Sequence, residues 1–199
     1  VVYLPFKTSR SVIDVNNGIS PSINTGTITS DGYYTDGNEQ QVDYTDNRVK
    51  DAIQSKFTMF LEFTPYNVGR NFYYLDVCFN TTYGAHMVGC FVYYSSNRKL
   101  SVSITRSSGS GYYLDGPIAN FPSVVYGQTY KICFKYDLSS YIDFFTGNIK
   151  THYNYPARTY AKYGFTLGKN TFSTNRGTKA YFINCALWDR LLTDEECFN

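Results

Sequence analysis

The sequence has few of the residues that support nucleophilic or metal-dependent chemistry. It contains two histidines, one tryptophan and two methionines, and its five cysteines include no CxxC pair. Scattered cysteines and two histidines lack the ligand spacing of a zinc site. A GxSxG nucleophile elbow is also missing, and only His86 and His152 are available as bases. We therefore expect neither a zinc centre nor a hydrolytic triad.

Charged side chains are scarce as well, at 17% of the chain, and 18 Lys and Arg nearly balance 16 Asp and Glu. Because nucleic-acid-binding domains carry a basic excess, we expect no nucleic-acid partner. No apolar run approaches the roughly 18 residues that span a bilayer, so we expect no membrane insertion. The chain begins VVYLPFKTSR, without an initiator methionine or a signal-peptide pattern. We interpret it as a fragment of a larger protein.

Aromatic residues, in contrast, are abundant: the chain has 21 tyrosines and 15 phenylalanines. Aromatics favour strands, and several runs alternate apolar and polar residues with a period of two, as in KLSVSITR and TYKICFKYD. Turn signals such as Asp31-Gly32 and SSGSG separate these runs. The pattern predicts one all-β domain over residues 1–199, an antiparallel two-sheet jelly-roll sandwich.

The odd number of cysteines leaves at least one thiol unpaired. Cys78 with Cys90, or Cys185 with Cys197, would close short loops, but nothing in the sequence fixes such a pairing. All cysteines except Cys197 lie in apolar, strand-like runs, where a free cysteine is usually a small buried hydrophobe. Reduced thiols are the interpretation that we prefer.

The chain ends AYFINCALWDRLLTDEECFN, an aromatic strand-like segment followed by an acidic one. Thr193-Asp194-Glu195-Glu196 fits a capping box, in which Thr193 and Glu196 each bind the other's backbone amide. The first acidic residues would also lie at the positive end of the helix dipole. The sequence thus predicts a last strand that runs into a short C-terminal helical turn.

A sandwich whose last strand leads into ALWDRLLTDEE resembles the concanavalin A-like lectin/glucanase superfamily, in particular its laminin-G-like branch. Leu192 and Glu196 fall at the positions of the leucine and glutamate in that branch's C-terminal signature. Segments 31–65 and 127–148 are similar to the branch's early strand and its mid-domain hairpin. The resemblance implies that VVYLPFKTS forms a first strand, which pairs near the last one.

Enzymes of that superfamily provide the first alternative function. Its glucanases use close carboxylates on one strand, typically ExDxxE, and no such run is present here, since Glu62, Asp76 and Asp143 are each isolated. Polysaccharide lyases on a jelly roll need a Tyr or His base and an Arg or Gln neutraliser. The segment KTHYNYPARTY supplies those residue types, although it matches no lyase motif: His152, Tyr153, Asn154, Tyr155 and Arg158.

Lectins of this superfamily often bind calcium through oxygen ligands. The stretch SDGYYTDGNEQQVDYTDN carries five acidic residues: Asp31, Asp36, Glu39, Asp43 and Asp46. Their spacing matches no EF-hand, and Asp-Gly pairs form turns in any case. We prefer turn formation over a calcium site and expect no cofactor.

Two loops have the composition of a carbohydrate-binding surface, because sugar rings stack on aromatic rings while their hydroxyls bind polar groups. One is NTTYGAH, with Tyr83 and His86, for which a simple hairpin tip is the preferred interpretation. The other is RSSGSGYYLDG, with Tyr112, Tyr113 and Asp115, for which a ligand site and a hairpin tip both remain open. Neighbouring residues of a strand point in opposite directions, so both tyrosines face a ligand only if they lie in the loop itself.

Two further candidates for ligand contact, Tyr155 and Arg158, come from KTHYNYPARTY. Our leading hypothesis is a non-enzymatic recognition module that binds a cell-surface glycan or protein receptor. The resemblance suits a phage tail fibre or another virion attachment protein, and implies a virion-surface or extracellular location and a homo-oligomer, a trimer in a fibre. The alternatives are a polysaccharide-degrading lyase or glycosidase and a structural spacer domain.

Overall fold

The computed structural model describes the following residues: 2–54, 56–66, 72–78, 86–92, 99–105, 112–118, 121, 123–137, 140–154, 164–169 and 177–198. For 72–78, 86–92, 103–105 and 112–117 the description covers the backbone alone. In chain order the elements are β1 (Val2–Leu4), α1 (Phe6–Ser9), β2 (Ile23–Asn24), β3 (Thr27–Thr29), β4 (Gly32–Asp36), β5 (Val42–Tyr44), α2 (Asn47–Ala52), β6 (Lys56–Tyr66), β7 (Phe72–Cys78), β8 (His86–Val92), β9 (Leu100–Thr105), β10 (Tyr112–Pro117), β11 (Tyr130–Asp137), β12 (Tyr141–Thr146), β13 (Ile149–Asn154), β14 (Gly164–Leu167), β15 (Lys179–Trp188) and α3 (Asp194–Phe198).

The strands form two antiparallel sheets. The eight-stranded sheet has the order β13-β12-β11-β6-β15-β4-β3, and β1 pairs with β15 beyond the end of β4. The seven-stranded sheet has the order β10-β9-β8-β7-β14-β5-β2. The predicted all-β sandwich is therefore confirmed. Among the described residues, no helix is long and apolar enough to cross a membrane.

The predicted alternation places one face of each central strand in the core. On β6 the buried residues are Phe57, Met59, Leu61 and Phe63, and β11 contributes its own alternate apolar residues beside them. Such a period-two pattern is what a strand with one face on a core requires. The opposite faces of β6 and β11 carry Glu62, Lys131 and other polar residues, and this outer face holds the site described below.

Several of the abundant tyrosines fill the core, as the aromatic composition predicted. Tyr33 and Tyr44 are fully buried, and each hydroxyl donates to a backbone carbonyl, Tyr33 to Gln41 at 2.7 Å and Tyr44 to Val12 at 2.6 Å. Burial raises the pKa of Tyr33 to about 12, so its hydroxyl stays a proton donor. A buried tyrosine with a satisfied hydroxyl contributes apolar area without an unpaired polar group.

Both ends of the chain make the predicted contacts, but the first strand is shorter than the resemblance implied, since only Val2–Leu4 form β1 and Phe6–Ser9 form α1. Val2 of β1 pairs with Leu187 of β15, which is the first-to-last strand pairing that the resemblance implied. At the C-terminus the capping box is formed, since the Glu196 amide donates to Thr193 Oγ1 at 3.2 Å and the Thr193 amide donates to Glu196 Oε2 at 2.8 Å. Leu192 is buried just before this turn.

Neither of the short-range cysteine pairings is compatible with the fold. The β7–β8 register sets Cys90 opposite Leu75, three residues along the strand from Cys78, or about 10 Å. A disulfide needs Cα atoms within about 7 Å. Cys185 faces the core, whereas Cys197 lies in α3 on the outer face of the same sheet, so these two are also separated.

We expect Thr193→Ala to lower the free energy of unfolding by about 1 kcal/mol, because it removes the side-chain half of the capping box. Urea denaturation of both proteins measures the difference. Thr193→Ser keeps the hydroxyl and is the matched control, which should remain close to wild type. Equal stability of all three proteins would show that the cap does not stabilise the fold.

Candidate functional site

The outer face of the eight-stranded sheet carries a cluster of three tyrosines from three strands that are distant in sequence. Tyr34 of β4 and Tyr181 of β15 are register partners, with ring centroids 4.8 Å apart. Tyr66 at the end of β6 contacts Tyr181 edge-on, at 5.9 Å and 77°. All three rings are half-buried. Their exposed parts form one continuous aromatic surface.

An open cavity of about 240 Å³ lies beside two of these rings, those of Tyr66 and Tyr181. It is lined by Lys7, Asp31, Thr64, Tyr66, Gly127, Thr129, Tyr181 and Ile183. The hydroxyls of Thr64 and Thr129 form a 2.8 Å hydrogen bond in its wall. The register of β15 against β6 shifts between Phe182 and Asn184, and the extra residue, Ile183, faces the cavity. We call Tyr34, Tyr66, Tyr181, Asp31 and Lys7 the tyrosine groove.

The turn before β4 places Asp31 at the edge of the tyrosine groove. The next residue, Gly32, has a φ of 129°, and a β-carbon there would overlap the Phe182 carbonyl oxygen. Only glycine lets this turn lie so close to β15. Asp31 and Lys7 are exposed and bring one charge of each sign to the cavity.

The hydroxyl of Tyr181 is held in its protonated form. Partial burial is the main cause, and the nearby Asp31 carboxylate adds to it, so the pKa of Tyr181 lies above its usual value. Tyr181 can therefore donate a hydrogen bond, while Asp31 accepts and Lys7 donates. Together with the ring faces, these groups suit a ligand that has both apolar C–H faces and many hydroxyls.

A second polar cluster lies on β11, β12 and β13, farther along the same face. Its centre is the buried carboxylate of Asp143, which lies 2.5 Å from His152 Nδ1, 3.1 Å from Lys150 Nζ and 3.8 Å from Lys135 Nζ. Asp194 of α3 pairs with Lys135 and, at 2.9 Å, with Lys150. Two carboxylates thus neutralise the buried Lys135, as a charge inside a protein requires.

Two residues of the lyase-like segment, His152 and Asn154, belong to this cluster. The Nε2 of His152 lies 3.0 Å from Asn154 Oδ1, and its ring packs on Tyr141 with centroids 5.3 Å apart. The hydrogen bond to Asp143 is the main reason why the pKa of His152 is raised. Both ring nitrogens are occupied by side chains of the sheet, so the arrangement holds this histidine as an ion-pair partner.

The Tyr112, Tyr113 and Asp115 segment lies in β10, an edge strand of the seven-stranded sheet, rather than in a loop. Tyr112 pairs with Thr105, but the register then shifts, so Tyr113 is the extra residue of a bulge. A bulge interrupts the alternation of a strand, and the requirement that both tyrosines lie in a loop therefore no longer applies.

In the described part of the chain, none of the other residues predicted to contact a ligand is placed in a common site with this segment. His86 is the first residue of β8 and pairs with Cys78, while Tyr83, Tyr155 and Arg158 lie outside the described residues.

One register row does cross the seven-stranded sheet at Asp115, and it holds two further aspartates. The row is Asp43, Thr166, Asp76, Gly89, Ser103 and Asp115.

The acidic residues of the stretch 30–47 each have a separate local role. Asp46 caps α2 by accepting from the Arg48 amide at 2.8 Å, and Asp36 accepts from the Asn38 amide in a turn. Asp43 is buried and accepts from Gln41. Within the described part of the chain, no group of three or more His, Cys, Asp or Glu residues is placed to hold a metal ion.

Sequence reasoning missed the tyrosine groove, although a signal was present. Tyr66 shares the polar face of its strand with Glu62 and Thr64, and Tyr181 lies between the core residues Ala180 and Phe182. A tyrosine at a polar-face position is a candidate for a surface contact. The strand register that brings Tyr34, Tyr66 and Tyr181 together cannot be read from the sequence.

No protein-family model and no curated protein sequence matches the chain. Solved structures do share its fold. Domain 4 of AbnA, a GH43 extracellular arabinanase from Geobacillus stearothermophilus solved with arabinotriose, has a TM-score of 0.72 at 13% identity, over 99% of this chain and 95% of that one. Trypanosoma rangeli sialidase has a TM-score of 0.72 at 11% identity over 94% of this chain.

The chain spans only 29% of that sialidase. A heptameric SAP-like pentraxin from Limulus polyphemus is more distant, with a TM-score of 0.52 at 14% identity over 72% of this chain and 68% of that one. At such identities these likenesses show the fold alone. They confirm the β-sandwich fold, which is the coarser part of the resemblance seen in the sequence.

We expect Asp143→Asn to lower the pKa of His152 toward the ordinary value near 6.5, since the carboxylate is the main cause of the upward shift. NMR titration of the imidazole measures it. Because the folded pKa is raised, this pair stabilises the fold fully below pH 6.5 and loses its effect as pH rises through the folded value. A His152 pKa that the substitution leaves unchanged would contradict the assignment.

Proposed function

We propose that the protein is a non-enzymatic glycan-recognition module and that the tyrosine groove is its ligand site. The observation that carries the proposal is the joined aromatic surface of Tyr34, Tyr66 and Tyr181 beside an open cavity with Asp31 and Lys7. Aromatic faces bind the C–H faces of sugars, and the charged and hydroxyl groups bind sugar hydroxyls. The described groups of the groove supply recognition chemistry of this kind.

The comparisons support the same class of ligand. The arabinanase domain that matches the chain over nearly its whole length was solved with arabinotriose, and a sialidase matches with an equal TM-score. Both are proteins that act on carbohydrate, and the shared sandwich is a scaffold that carbohydrate-associated proteins use. The laminin-G-like branch is the assignment within this fold that we propose from the C-terminal signature.

An open, shallow groove predicts weak binding by one copy, about −4 kcal/mol or a millimolar dissociation constant. Useful attachment to a surface then requires several copies, since linked sites gain avidity without new contacts. We therefore propose that the parent protein is a homo-oligomer on a virion or in the extracellular space, for example a trimeric tail fibre, and that it binds a cell-surface glycan or a glycosylated receptor.

We expect the double substitution Tyr66→Ala/Tyr181→Ala to weaken glycan binding by about tenfold or more, because it removes two of the three ring faces. A glycan array selects the ligand, and calorimetry with that glycan measures the affinity. Tyr141→Ala, which removes a half-buried tyrosine on the same outer face but outside the groove, is the matched control and should bind normally. Unchanged affinity in the double variant, with an unchanged melting temperature, would rule out the groove.

The β10 segment with Tyr112, Tyr113 and Asp115 stays a second candidate location for the ligand. It is favoured by the register row that aligns Asp115 with Asp76 and Asp43 across six strands, a span of about 24 Å at the usual strand spacing. Asp43 and Thr166 at one end of the row are buried, so only its β10 end would be offered to a glycan.

We expect Tyr112→Ala/Tyr113→Ala to weaken binding of the array-selected glycan less than the groove double variant does. The same calorimetric titration compares the two proteins. Loss of binding in the β10 variant, with normal binding in the groove variant, would move the site to the seven-stranded sheet. A reducing-sugar assay on the same glycan, for which we expect no release, tests the polysaccharide-degrading alternative.

A further inference from the structure

Two cysteines meet where the C-terminal helix α3 lies on the eight-stranded sheet. Cys133 of β11 is buried on the outer face, and Cys197 of α3 is half-buried above it. Both thiols are free, and the two groups lie near enough for each to shift the pKa of the other. No sequence pattern pairs these two residues.

The position of α3 is fixed by contacts on both sides of Cys197. Before it, Asp194 pairs with Lys135, which lies two residues from Cys133 on the same face of β11. After it, the ring of Phe198 packs edge-on against Phe145 with centroids 5.3 Å apart. Phe145 is in turn the register partner of Cys133. The helix is thus anchored at both ends directly over Cys133.

We propose that Cys133 and Cys197 form a disulfide when the protein meets a small-molecule disulfide, and that this bond fastens α3 to the sheet. The two sulfurs must approach to about 2 Å for the bond to form. A helix of one turn that is anchored only by side chains can make that small movement. The proposal does not depend on what the tyrosine groove binds.

The chemistry proceeds by thiol–disulfide exchange. Cys197 is the attacking group, because it is half-buried and open to a small disulfide whereas Cys133 is buried. Cys133 and, to a smaller extent, Lys135 also lower the pKa of the Cys197 thiol. The Cys197 thiolate attacks one sulfur of the small-molecule disulfide and displaces one thiolate. Cys133 then gives up its proton and attacks Cys197 Sγ, which releases the second small thiol. Two protein thiols are oxidised, and one small disulfide is reduced to two thiols.

The experiment treats the purified chain with oxidised glutathione and maps its peptides without reduction. We expect a linked peptide that contains Cys133 and Cys197, the loss of two titratable thiols, and a rise in melting temperature of about 5–10 °C that dithiothreitol reverses. Cys197→Ser should abolish the link and the rise. Cys185→Ala removes the core-facing cysteine and should keep the link.

A third variant tests whether formation of the link between Cys133 and Cys197 depends on the packing of α3 on the sheet. Phe198→Ala removes the anchor on Phe145, so we expect it to slow formation of the link at least about threefold while the sheet stays folded. Glutathione that remains attached to Cys197 with no link to Cys133, or a link from Cys197 to any other cysteine, would overturn the proposal. An unchanged thiol count after prolonged oxidation would overturn it as well.

Discussion

The pairing of β6 with β15 is the constraint on which the rest of this molecule depends. The two strands lie side by side at the centre of the eight-stranded sheet and share nine register partners. Their inner faces supply core residues such as Leu61 and Phe182, and their outer faces supply Tyr66 and Tyr181. Even the C-terminal turn is attached here, because Thr58 Oγ1 of β6 accepts from the Leu192 amide and donates to the Arg190 carbonyl.

The features that were predictable from the sequence are those that depend on neighbouring residues. The alternation in β6 and β11 identified the core faces, and the Thr193–Glu196 spacing identified the capping box. Both arise from local geometry, the period of a strand and the free amides of a first helical turn. The first-to-last strand pairing came from family resemblance, since no local rule joins Val2 to Leu187.

The site and the cysteine contact could not be predicted in this way, because both are set by register between distant strands. Tyr34 and Tyr181 meet only because β4 pairs with β15 at that register. Cys133 and Cys197 meet only because Lys135 and Phe145 anchor α3. The β10 tyrosines show the same limit, since the bulge at Tyr113 is a property of its pairing with β9 and not of the tripeptide itself.

The long sequence separation between β6 and β15 also sets the order in which this chain can fold. The contact between Glu62 and Asn184 closes a separation of 122 residues, and β1 must wait for the same late partner. During synthesis the apolar strand β6 would have one unpaired edge until β15 emerges, which is a state prone to wrong pairing. Chains dominated by such distant contacts fold slowly. Correct folding of this topology during synthesis therefore depends on how long the edge of β6 stays unpaired.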